Sequence, residues 1–164
     1  MQSLNVLLLK LKDALIADEG LGAWAQDLKV DEPGTSGVCT VRLGNEYLMS
    51  TVPSSMYPYI FIVVGNETDI VIDAMGEMIT RQIFLQTGFF DNNVERGTLR
   101  AVTLEETLVR AVDRTLGALW IAEDNPDGLI YSHGVGRILT DGDANRPEIL
   151  RVIPVEVSYT LSSE

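Results

Sequence analysis

Cysteine, histidine and lysine are scarce in this chain, and each shortage removes a class of chemistry. One cysteine, Cys39, leaves no partner for an intramolecular disulfide and no set of thiolates for a zinc site. One histidine, His133, excludes His-rich metal sites and His–His proton relays. The three lysines, Lys10, Lys12 and Lys29, lie near the N-terminus, and the nine arginines are scattered. Lys and Arg total 12 against 24 Asp and Glu, a formal net charge of −12. The chain therefore has no basic tract of the kind that holds nucleic-acid phosphates. Long hydrophobic runs are missing too. Val6–Leu9 stops at Lys10 and has no basic segment before it, so no secretory signal is expected. Tyr59–Val64 falls far short of the roughly 20 apolar residues that span a bilayer, and no membrane association is expected.

What remains is the composition of a globular domain. The chain has 164 residues, of which 46% are apolar and 22% charged, enough to bury one core and too apolar for general disorder. Residues 1–164 are read as a single domain. Ser3 can cap a helix to about Ile16, with Leu4, Leu8, Leu11 and Leu15 on one stripe. Val6, Leu7, Leu9 and Ile16 widen that stripe, and Gly20 and Gly22 mark the stop. Residues 21–37 fit a short helix or an extended arm ending in a loop. Val38, Thr40 and Val41 suggest a short strand, and Tyr47–Val52 another.

Pro58 opens the strongest strand signal, Tyr59–Val64. That run does not alternate, so core should cover one face and a helix or partner the other. Gly65-Asn66-Glu67 reads as a turn, and the glycosylation sequon at Asn66 as part of it. Residues 70–72 suggest a brief strand and 76–90 a long one, mostly apolar on the face of Ile79, Ile83, Leu85 and Phe89. Thr103-Leu104-Glu105-Glu106 reads as a capping box that starts a helix to about Trp120. Leu129–Leu139 reads as a strand loosened by two glycines, 140–147 as a polar loop, and Ile149–Thr160 as a closing strand. This order predicts an α+β fold: a mostly antiparallel, twisted sheet of about five strands packed with two main helices.

The motifs of common chemistries are incomplete. Gly134-Val135-Gly136 lacks the third glycine of a dinucleotide fingerprint. Asp141-Gly142-Asp143 begins like a calcium loop, but Arg146 and Val152 stand where the glycine and the bidentate glutamate belong. His133 has only Ser132 beside it, which points to the opposite face of a strand. Cys39, between Val38 and Thr40, is expected to be a buried, inert thiol. Phe89-Phe90 fits either an exposed anchor for a partner or a core ring beside one covering a sheet edge. A non-enzymatic role without cofactor or metal is therefore expected.

Five features share an order along the chain. They are the amphipathic helix 3–18, the strand opening Tyr57-Pro58-Tyr59-Ile60-Phe61-Ile62, and a longer strand after a polar turn. The fourth is a helix carrying Glu105, Leu108, Ala111 and Leu116 that leads into Asp124-Asn125-Pro126-Asp127-Gly128, and the fifth is the final strand Arg151–Tyr159. That order resembles the tail terminator proteins of long-tailed bacteriophages, the minor tail protein U group. Residues 19–57 have no counterpart there and are read as an unplaced arm or insertion.

The resemblance implies a virion protein of the tail or neck, assembled in the host cytoplasm. It implies a homo-oligomeric ring of six subunits that caps the tail tube and joins it to the head connector, with the tail sheath as a further neighbour. DNA would pass through the lumen without specific binding, which the acidity suits. The polar segments 66–69, 91–97 and 140–147 are expected to reach neighbouring rings. With the two phenylalanines they give the expected interface residues: Glu67, Asp69, Phe89, Phe90, Asp91, Glu95, Asp141 and Asp143. Three alternatives stay open: a head–tail connector or stopper of the neck, an intracellular adaptor, and a metal-dependent hydrolase using His133, Asp141 and Asp143.

Overall fold

The computed structural model describes residues 3–47, 51–73, 76–121, 123–126, 128–143 and 147–161. Three helices lie on one face of a six-stranded sheet, an α+β fold whose sheet is mostly antiparallel. The helices are α1 (Ser3–Ala17), α2 (Glu19–Asp31) and α3 (Val94–Ala118). The strands are β1 (Thr40–Leu43), β2 (Tyr59–Asp73), β3 (Gly76–Phe90), β4 (Ile130–Val135), β5 (Leu139–Thr140) and β6 (Glu148–Leu161). The strand order is β1-β2-β3-β6-β4, with β5 also paired to β6; among the described strands β1–β2 is the parallel pair and the others are antiparallel.

Leu4, Leu7, Leu8, Leu11 and Leu15 of α1 are buried, whereas Leu9 and Ile16, expected to widen the stripe, are exposed. The glycines expected to stop this helix lie instead in the first turn of α2. The break is at Asp18, whose carboxylate accepts from the Leu21 N–H at 2.8 Å and caps the new helix. Gly20 packs closely on α3: a Cβ there would meet the Thr107 side chain at 3.1 Å. Leu21, Trp24, Ala25 and Leu28 share one buried face of α2, so part of the unplaced stretch 19–57 belongs to the helix layer. Trp24 stands edge-on to Phe89, with ring centroids 5.1 Å apart.

The third helix starts well before the expected capping box. Asn93 is its N-cap and accepts from the Arg96 N–H at 2.9 Å. Thr103 is mid-helix, where its hydroxyl donates to the Leu99 carbonyl at 3.0 Å. A Thr-x-x-Glu pattern marks a start only where the preceding residues are not already helical. Leu104, Leu108, Ala111, Val112 and Leu116 face the core.

The long strands carry the sheet. β3 pairs with β6 from Glu77↔Leu161 to Phe90↔Glu148 without a register break. The expected turn at 65–67 is instead part of β2, which absorbs those polar residues through irregularities between Val64 and Asp69. Tyr47 lies in a turn and 51–52 outside any strand, while 48–50 of that expected strand lie outside the described residues.

The two faces of β2 are covered differently. Ile60 and Ile62 join the main core under the helices. Tyr59 and Phe61 face the other way, into a second cluster with Met56 and Tyr57, flanked by Tyr47, Val52, Phe90 and Leu150. The chain thus covers the second face of this run itself, with segment 51–58. Gly88 makes this possible, since a Cβ there would meet the Tyr59 ring at 2.6 Å. The Tyr57 hydroxyl donates to Glu148 at 2.8 Å and ties the segment to β6.

Candidate functional site

The eight expected interface residues do not form one surface. Phe89 is fully buried against Trp24, which excludes it as an anchor. Phe90 is half-buried, with its ring centroid 4.3 Å from that of Tyr57. Asp91 is also buried, because 91–97 is not a strand-joining loop but the approach to α3 and its first turn. Glu95 is exposed in that turn. Glu67 and Asp69 are exposed in β2, opposite Arg81 and Thr80 of β3, and are likewise not in a loop. Asp141 and Asp143 are half-buried; Asp143 accepts from Arg151 Nη1 at 2.9 Å.

Asp91 sits at the centre of an ionic network that sequence reasoning missed. Its Oδ1 accepts from Arg96 Nη2 at 2.8 Å and the Asn93 N–H at 2.9 Å, and its Oδ2 from Arg100 Nη1 at 2.8 Å. Arg100 also reaches the Asp31 carboxylate and the Asp27 carbonyl, both of α2. Glu32 accepts from the Asn92 N–H at 2.8 Å. Burial pushes the Asp91 carboxyl up, and the hydrogen bonds from Arg96, Asn93 and Arg100 outweigh it, so its pKa lies below the ordinary carboxylate value. The network fastens the end of β3 to α2 and α3, which is a structural task. The legible signal was the spacing: Arg96 and Arg100 are one helical turn apart, just after Asp91. A second buried cation, Arg151, joins Glu105 of α3 at 2.9 Å to Asp143.

The residues of the hydrolase alternative are spread along the sheet. His133 pairs in register with Val157, and Thr140, next to Asp141, with Arg151. These β6 positions are six residues apart, about 20 Å. The His133 Nε2 contacts Asp113 of α3 at 3.2 Å instead. Among the described residues, no group of three or more His, Cys, Asp or Glu is placed to hold a metal ion. Cys39 is half-buried, and burial, then Asp18, pushes its thiol up to about 12, so it is not an activated nucleophile. An open groove lies where the three helices meet, lined by Asp18, Thr107, Arg110 and Arg114 among others. Its cations are engaged, Arg114 with Asp18 and Arg110 with Glu106.

Two surfaces stand out as bare. On the sheet face away from the α-helices, Val63 packs against the aromatic cluster, and Phe84, Val152 and Pro154 beyond it are only half-buried. The second is the edge of β2. β1 pairs with it only over Tyr59–Ile62, and the described residues place no strand against the rest. The chain matches no protein-family model and no curated protein. Among the described residues no helix is long and apolar enough to cross a membrane.

Proposed function

We propose that this protein is a structural subunit of a bacteriophage tail: a terminator that assembles as a ring on the end of the tail tube and joins it to the head connector. The observation that carries the reading is the sequence of elements. An N-terminal helix, a strand opening at Tyr59 with an apolar run, a second strand of equal length paired to it, a long helix and a final long strand follow one another as in the tail terminator group. The one-sided sheet supports it, since all three helices pack on one face and the other keeps an apolar strip around Phe84 and Pro154. A subunit meant to be buried among copies and neighbouring rings needs such a surface. The charge of −12 suits a channel that DNA crosses without being held.

The test is tail-tube assembly with and without the protein, imaged by electron microscopy. A terminator caps one end of each tube and stops its growth. Tubes of unchanged length with bare ends would sink the reading.

A further inference from the structure

We propose that the free edge of β2 docks the β4–β5 edge of a second copy, so that the sheet continues from one subunit into the next. This rests on the ring reading above and names the contact that would build the ring. β1 leaves β2 after Ile62, where the Gly44 N–H still reaches the Ile62 carbonyl at 2.7 Å. From Val64 to Asp73 one side of β2 bonds to β3, and the other has no strand partner among the described residues. That is about 30 Å of strand edge, a template for an added strand. Part of the opposite edge, along β4 and β5, likewise has no strand partner among the described residues. The start of β4 is occupied by residues 119–121, through the Ile121 N–H to Ile130 carbonyl bond at 2.8 Å and the Trp120 indole on the Tyr131 carbonyl. Among the described residues, Ser132–Val135 and Leu139–Thr140 pair with β6 on one side and with no strand on the other.

Direction, length and charge fit these two edges to each other. β2, β3, β6 and β4 are successively antiparallel, so β4 runs opposite to β2. A second copy held in the same orientation presents β4 antiparallel to β2, the commoner pairing. The two free stretches are similar in length, about nine or ten residues, and a slide of the second copy by about five residues, roughly 17 Å, along the strands brings them fully opposite, since Val64 lies level with Val135 across the sheet. The β2 stretch exposes Glu67 and Asp69. The Ser132–Thr140 stretch contains no carboxylate and carries His133 and Arg137. The acids and the irregular register of β2 discourage two β2 edges from pairing with each other, a usual protection of edge strands. They leave the carboxylate-free edge as the match. Such a contact is head-to-tail, and a head-to-tail contact that closes makes a ring.

The experiment is the solution mass of the full chain and of three surface variants: Asp69→Lys, Arg137→Glu and the double variant. Both residues are exposed, and circular dichroism checks that each variant keeps its helix and strand content. Each single variant should weaken self-association by about tenfold, and the double variant, which swaps the charges across the contact, should restore most of it. Wild-type oligomers that persist unchanged in both single variants overturn the edge assignment and leave the ring reading standing. Loss in Asp69→Lys with no effect of Arg137→Glu also overturns it, in favour of β2 pairing with itself. A wild-type chain that stays monomeric, alone and with tube protein, overturns both.

Discussion

Ile83 and Phe84 are neighbours in β3 and occupy opposite environments. Ile83 is fully buried in the main core on the side of the α-helices, while Phe84 lies half-buried on the opposite face. The contrast extends along the sheet. One face is a continuous core from Val41 to Ile130, and the other is a small aromatic cluster under segment 51–58 followed by bare strand. The covered face supplies stability, and the open face is surface that folding alone does not require. Adjacent residues on one strand should therefore respond very differently to truncation.

The largest effect is expected at Ile83→Ala, a loss of about 4 kcal/mol in urea unfolding at fixed protein concentration, because the surrounding core cannot collapse into the gap. Asp91→Asn comes next, at about 3 kcal/mol, since it leaves Arg100 buried with fewer acceptors. That loss should depend on pH. The folded pKa of Asp91 lies below its unfolded value, so its stabilisation is complete above the ordinary carboxylate pKa, about 3.9. It disappears as pH falls through the folded pKa. The urea midpoints of wild type and Asp91→Asn should differ at pH 7 and converge below the folded pKa; a gap that stays constant would disprove the ionic account. Phe61→Ala should cost about 2 kcal/mol, below the usual range for a buried ring, because segment 51–58 can settle onto the sheet. The smallest effect belongs to Phe84→Ser, less than about 1 kcal/mol. A loss there equal to that of Ile83→Ala would break the contrast between the faces.

The sequence revealed strands whose pattern is uniform. Gly76–Phe90 has the expected bounds, because period-two alternation runs through it and Asp91-Asn92-Asn93 ends it. The closing strand spans Glu148–Leu161, one residue beyond the expected range at each end. Polar residues inside β2 misled the reading, since Gly65-Asn66-Glu67 has the composition of a turn, while Val64 and Glu67 on either side of Gly65-Asn66 pair with β3 and carry the strand through. The second helix was obscured by Gly20 and Gly22, whose propensity cost is overridden by the packing of Leu21, Trp24 and Leu28. The interface residues were less legible still. A carboxylate such as Asp91 reads as solvent-facing unless its cations are known, and part of its network comes from Asp31 at the end of α2 and Glu32 just after it, distant in sequence. Glu67 and Asp69 are at the surface as expected, but their place on a free strand edge follows from how short β1 is.

The position of β6 has a consequence for how the protein is made. β6 is the last strand in chain order, yet it lies between β3 and β4 and holds β5 as well. On the ribosome, roughly 70 residues must be added after β3 before β6 is complete, several seconds at typical elongation rates. Until then the nascent chain carries β3 with one side unpaired and a helix layer with half its sheet missing. The early part of the polypeptide must wait, collapsed or held by a chaperone, for its central strand to arrive.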